Sequence, residues 1–146
     1  EHQGAAVPKD NAPLIGEGAE IEVSIPGVTV IEVGKWSLQA SLTTDFASHE
    51  AAQLRLAITA GSRVTLRGRQ EGDRFAPFGM KGHTQKLNRW MINRKIPQRV
   101  RGSIPLLCLD GEIAAVYVDQ QWFIGEAYAV QDNSPRVVYF QFLQNL

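Results

Sequence analysis

The sequence contains a single cysteine, Cys108, and only three histidines, His2, His49 and His83. One thiol excludes an intrachain disulfide and a cysteine-based zinc site, and so few imidazoles argue against a His/Cys metal cluster. No apolar run approaches the roughly 20 residues that cross a bilayer. Nor does the N-terminus carry the basic-then-apolar layout of a secretory signal. A soluble, cytoplasmic protein with no membrane partner is expected. Nucleophile-elbow (Gly-x-Ser-x-Gly) and Walker-type (Gly-x4-Gly-Lys-Ser/Thr) motifs are both missing, so no catalytic residue is assigned. The chain begins at Glu1 rather than Met, as a piece of a longer protein would.

What remains is ordinary in bulk and unusual in distribution. The 146 residues, 44% apolar and 21% charged, have the size and composition of one globular domain with a core of its own. The formal net charge is zero, yet residues 61–101 hold eleven Lys/Arg against only Glu71 and Asp73. That segment therefore carries a surplus of nine positive charges, and the rest of the chain an equal surplus of acids. A chain split in this way can attract a polyanion whatever its total charge. A solvated basic face with no partner is the plainer explanation. The density of the cluster favours an anionic partner, with nucleic acid first among them.

The pattern along the chain predicts a β-rich α+β fold built from antiparallel strands, sandwich-like, in a meander and hairpins. Residues 1–18 mix Gly, Pro, Ala and charges without period and are expected to be a linker or tail, with a single domain over 19–146. Three short strands, near 20–25, 28–33 and 36–42, are expected to form a meander. Residues 46–60 are ambiguous: Ser48 would cap a helix through Ala51, Ala52, Leu54, Arg55 and Ile58, although the apolar spacing is imperfect. Arg63–Arg67 reads as strand and leads into a loop containing Gly68, Gly72, Gly79 and Gly82. One helix is predicted near 84–95, with Thr84 as N-cap, Leu87, Trp90 and Met91 as its buried stripe, and Ile96-Pro97 as its stop. Asp110-Gly111 between two apolar runs predicts a hairpin, and further strands are expected over 122–130 and 137–143.

The basic residues are the candidate site. Lys86, Arg89 and Asn93 fall at i, i+3 and i+7 on the face opposite the apolar stripe, and Arg94, Lys95, Arg99 and Arg101 follow. Arginine binds phosphate oxygens bidentately and lysine adds a movable point charge, so this set could track a nucleic-acid backbone. With the cations around the glycine loop, the candidate nucleic-acid-binding residues are Arg67, Arg69, Arg74, Lys81, Lys86, Arg89, Arg94, Lys95 and Arg101. Gly72, Asp73 and Gly79 are expected to structure the loop, with Asp73 orienting Arg74 or a neighbouring arginine. Gly79-Met80-Lys81-Gly82-His83-Thr84 could cradle a phosphate at a helix start, or be no more than a turn. Asp73 with His83 is conceivable as an acid–base pair, though ten loop residues separate them.

A specific run of residues then carries a resemblance. Leu66-Arg67-x-Arg69-x3-Gly72-Asp73-Arg74-Phe75-x-Pro77-x-Gly79 is followed by Lys81-Gly82-x3-Lys86-Leu87, by Met91-Ile92-Asn93-Arg94-Lys95-Ile96-Pro97, and by Arg101 and Ile104-Pro105-Leu106. Over residues 64–118 the chain resembles the C-terminal domain of tRNA(Ile)-lysidine synthetases, with a looser fit at 20–42. The resemblance implies a bacterial tRNA-modifying ligase. In that family a separate N-terminal ATP-pyrophosphatase domain, using ATP and Mg, adenylates the wobble cytidine of an isoleucine tRNA (CAU anticodon), and lysine displaces AMP. The C-terminal part grips the tRNA and, by the same resemblance, shares a β-rich fold with a domain of phenylalanyl-tRNA synthetase. The family's Ser-Gly-Gly-x-Asp-Ser motif is absent from these residues, so the chain is expected to recognise substrate, to need no cofactor itself and to do no chemistry alone. It departs from the family at Gln98, where a basic residue is common, and over Val118–Phe123, where the family has a glycine and an arginine. The rival reading is a structural module that docks its own enzyme or a second subunit through the basic face. A hydrolase using Asp73 and His83 is a third.

Overall fold

The computed structural model describes residues 13–31, 36–42, 54–79, 81, 83–131, 133–134 and 136–144. Among them are eleven strands in antiparallel sheets and a single helix of seven residues. The strands are β1 (Glu20–Glu22), β2 (Gly27–Ile31), β3 (Trp36–Ser41), β4 (Leu54–Ala57), β5 (Val64–Arg67), β6 (Arg74–Phe75), β7 (Gln85–Lys86), β8 (Leu106–Leu109), β9 (Glu112–Val118), β10 (Gln121–Ile124) and β11 (Val137–Gln144). The helices are α1 (Leu87–Asn93) and the single turn α2 (Gln98–Arg101). One sheet has the order β1-β5-β8-β9-β10, a second β2-β3-β11-β4, and β6-β7 form a two-stranded ribbon.

The five-stranded sheet is the middle layer, which explains its sequence. Along β8, Leu107 and Leu109 face the four-stranded sheet, while Leu106 and Cys108 face the helix layer. A strand covered on both sides cannot alternate with polar residues, so Leu106–Leu109 and Ile113–Val118 read as continuous apolar runs. On the first side Leu38, Leu56, Phe140 and Phe142 complete one core. On the second, Phe75, Leu87, Trp90, Met91, Ile96 and Ile104 complete another. The register of β8 with β9 shifts between Leu107 and Cys108, which leaves Ala114 as an extra residue whose carbonyl accepts the Gly125 N–H at 2.7 Å. Such bulges re-aim a strand. This one places both Ala114 and Ala115 toward the same core.

Several expectations change. β1 does not join a meander with β2 and β3: it pairs with β5, while β2 and β3 form a hairpin in the other sheet. Period-two alternation reports that a strand has a buried face, not which sheet buries it. Order begins before Glu20, because Ile15, inside the stretch expected to be a linker, is 1% exposed and donates its N–H to the Ser103 carbonyl. Leu54–Ala57 is strand rather than helix, since Leu54 and Leu56 alternate inward beside β11. Ser48, Ala51 and Ala52 lie outside the described residues. The strand expected over 122–130 ends at Ile124 and gives way to a 3-10 turn at Glu126–Tyr128. The Asp110-Gly111 hairpin forms as predicted, with both residues at positive φ.

The helix is shorter than predicted and starts differently. Gln85 and Lys86 are ribbon, α1 begins at Leu87, and no side chain caps it. Thr84 accepts from Arg74 instead. The Leu87 N–H is satisfied by the Asp73 carbonyl at 2.9 Å, so the glycine loop takes the place of a side-chain cap. At the far end Ile96 N–H bonds the Met91 carbonyl and Lys95 N–H the Ile92 carbonyl. This is a Schellman closure in which Lys95, at φ 60°, occupies the position that usually belongs to glycine.

Candidate nucleic-acid interface

The glycine loop is held from below. Arg67 closes β5 on the face that meets the helix layer, 5% exposed. Its Nη1 donates to Asp73 Oδ2 at 2.9 Å and its Nη2 to Oδ1 at 3.0 Å, while Nη1 also reaches the Gly68 carbonyl. Asp73 Oδ2 accepts the Gln70 N–H as well, at 2.8 Å. The hydrogen bonds to Asp73 outweigh the cost of burial and raise the Arg67 pKa above its ordinary value. Gly72 sits between at φ 86°, a left-handed conformation that glycine adopts without steric cost. Gly79, at φ 93°, makes the corresponding bend at the other end of the loop, where its N–H donates to Glu126 Oε1 at 2.9 Å.

These partners decide what each predicted residue can do. Arg67 is enclosed and its donors are turned to Asp73, so it is removed from any RNA-facing surface. Asp73 orients Arg67, not Arg74. Its oxygens are taken by Arg67 and the Gln70 backbone, and His83 is exposed, so no acid–base pair forms between Asp73 and His83. The phosphate cradle imagined at Gly79–Thr84 does not stand at a helix N-terminus, because α1 starts three residues further on, and the Gly79 amide is engaged by a carboxylate.

The other cations are outward. Arg69 donates to Asn88 Oδ1 at 2.7 Å, and Arg74 donates to the Thr84 hydroxyl and carbonyl. In the ribbon Arg74 lies directly opposite Lys86, so both side chains leave the same face. Arg69, Gly72, Asp73, Lys86 and Asn88 line one open cleft of about 340 Å³, with Glu71 also on its wall. Arg89, Lys95 and Lys81 are exposed. Arg101 is half-buried and donates from Nε to the Ile96 carbonyl. Arg94 stands apart: its guanidinium lies 3.9 Å from the ring centre of Phe123 and 4.9 Å from that of Trp90. Among the described residues, none of Arg69, Arg74 and Lys86 pairs with an acid, and no group of three or more His, Cys, Asp and Glu could hold a metal ion. No helix among them is long and apolar enough to cross a membrane.

Two features escaped sequence reasoning. Asn88, which positions Arg69, is an exposed helix residue with no motif of its own. Phe78 and Phe123 are aromatic residues whose environments depend on a loop–strand contact that local patterning does not encode.

The described residues form an antiparallel, strand-rich domain in which a structured glycine loop adjoins a cationic ribbon. Residues 64–139 match the family model described as the TilS substrate C-terminal domain, and the chain belongs to that family. It is similar to the tRNA(Ile)-lysidine synthase of Caldanaerobacter subterraneus subsp. tengcongensis, 32% identical over 82% of this chain and 26% of that protein. It is also similar to the tRNA(Ile)-lysidine synthase of Clostridium acetobutylicum, 43% identical over 54% of this chain and 16% of that protein. The chain thus spans about a quarter or less of the length of these relatives. A solved structure described as the TilS C-terminal domain shares the fold, with a TM-score of 0.62 at 18% identity, over 86% of this chain and 96% of that one.

Proposed function

We propose that this domain is the tRNA-binding, substrate-recognition part of a tRNA(Ile)-lysidine synthetase. In this reading it holds isoleucine tRNA (CAU anticodon) so that an ATP- and Mg-dependent N-terminal domain of the same protein can form lysidine at the wobble cytidine, in the cytoplasm. The family membership supports the parent enzyme. The observation that carries the binding role is the arrangement of Arg69, Arg74 and Lys86. Arg69 and Arg74 rest on neutral partners, Asn88 and Thr84, and Arg74 and exposed Lys86 face each other across the ribbon beside the Gly72 loop. Like charges directly opposite destabilise a strand pair, and a phosphate between them would remove that cost. A-form RNA is gripped through phosphates and 2′-hydroxyls rather than major-groove base edges, which suits exposed cations grouped on one face.

The test is a titration of the chain with isoleucine tRNA between low and physiological salt. Affinity is expected to fall steeply with salt through counterion release. Arg69→Ala, Arg74→Ala and Lys86→Ala should each weaken binding and shallow the log–log slope by about one, leaving the melting temperature nearly unchanged. A flat slope for the unaltered chain would refute the electrostatic role.

A further inference from the structure

A second feature of the surface lies away from the Gly72 loop. Phe78 is 65% exposed, yet the backbone beneath it is firmly held. Its own N–H donates to the Ile124 carbonyl at 2.9 Å, the next N–H to Glu126, and Pro77 bridges to Gly125. The ring is thus presented by a braced turn. Beside it runs an open groove of about 410 Å³ whose wall includes Phe78, Phe123, Trp122, Ile124 and Arg55. No acidic residue lines it. Phe123, half-buried, carries the Arg94 guanidinium at 3.9 Å, and exposed Arg55 stands on the wall with it.

An open, largely apolar groove with Arg55 on its wall, no acidic residue in its lining and Arg94 stacked on its Phe123 wall matches an occupant with an aromatic face and a negative charge. We infer that the Phe78 groove receives an unpaired nucleobase of the bound RNA, stacked against Phe78, with Arg94 and Arg55 near its phosphates. This rests on the tRNA-binding reading and adds to it a site for single-stranded RNA. Stacking on an aromatic ring tolerates any base, because every base has a π-face. The groove would therefore hold an unpaired nucleotide without selecting its identity, while the Gly72 cleft engages backbone phosphates.

The experiment compares three probes on the whole 146-residue chain at one salt concentration: a single-stranded RNA tetramer, an abasic ribose-phosphate oligomer of the same charge, and a short RNA duplex. The tetramer should bind about tenfold more tightly than the abasic oligomer, the scale of one base-on-aromatic stack. Phe78→Ala should abolish that preference and Phe78→Tyr should keep it, with duplex affinity and its salt slope unchanged in both. Equal binding of the tetramer and abasic oligomer, or a preference that survives Phe78→Ala, would overturn the nucleobase site while duplex binding upheld the wider reading. Failure of all three probes to bind would remove both.

Discussion

Arg67 shows how far burial can change the meaning of a residue. In a run with Arg69 and Arg74 it looks like one more surface cation, but it belongs to the inner side of β5 and spends its donors on Asp73. Removing one partner of a buried ion pair leaves an uncompensated charge and typically costs about 3–5 kcal/mol. Asp73→Asn is therefore expected to destabilise the domain by about 3 kcal/mol in denaturant unfolding, whereas Arg69→Ala should stay within about 0.5 kcal/mol. If Asp73→Asn were neutral, the pair would not be what holds the loop.

Cys108 makes a second residue-level case. Burial against the helix layer pushes its thiol from 9.0 up to about 11, partly offset by the charge of Arg67. Between those values the unfolded thiol has lost its proton and the folded one has not, so the unfolded state binds fewer protons and stability falls as pH rises. Tyr128, whose phenol is also raised by burial and by its hydrogen bond to Glu112, adds to the loss at higher pH. Cys108→Ala should flatten the stability–pH curve between about pH 9 and 11, a window worth at most about 2–3 kcal/mol for one group. A variant with the same slope as the unaltered chain would mean the thiol is not protected.

At the scale of elements, α1 is short and depends on its neighbours at both ends. Seven residues are far below the length at which a helix is stable alone. Its first N–H is met by the Asp73 carbonyl, and its buried face is met by aromatic rings, with Trp90 edge-on to Phe75 and Phe123 at 5.3 Å. The Schellman closure sets Lys95 in the left-handed region, where a side chain costs about 1–2 kcal/mol. Lys95→Gly is expected to raise stability by about 0.5–1 kcal/mol, after the greater freedom of glycine in the unfolded chain is counted. A thermal melt showing clear destabilisation would contradict this account of the helix end. The same dependence on neighbours explains the helix start. Thr84 before an apolar periodic run is a sound capping signal, but the hydroxyl was claimed by Arg74 and the cap by a loop residue eleven positions earlier.

For the molecule as a whole, two cores share one sheet, and the cationic loop and ribbon lie over the second of them. The proposed binding surface is thus built on the layer that Phe75, Leu87 and Trp90 hold down, and no ATP-binding loop accompanies it in the sequence. Supplied with ATP, lysine and tRNA, the chain alone is expected to form no lysidine. Pyrophosphate release above background by the pure chain would place chemistry in this domain.

The sequence by itself determined the strand-rich class, the Asp110-Gly111 hairpin, the buried stripe of α1 and the concentration of positive charge, because each depends on local pattern or simple count. The family motif was likewise written in consecutive residues. Only the tertiary structure decided that β1 leaves β2 and β3 for the other sheet, that Arg67 turns inward to Asp73 while Arg69, Arg74 and Lys86 remain outside, and that Phe78 stands beside Phe123. The physical reason is common to all of these. Alternation and charge say that a side chain has a buried or a solvated side, but burial itself is supplied by other segments of the chain: an arginine becomes structural when a carboxylate six residues on folds over it, and an aromatic residue in a loop becomes part of a groove when β10, beyond the helices, meets it.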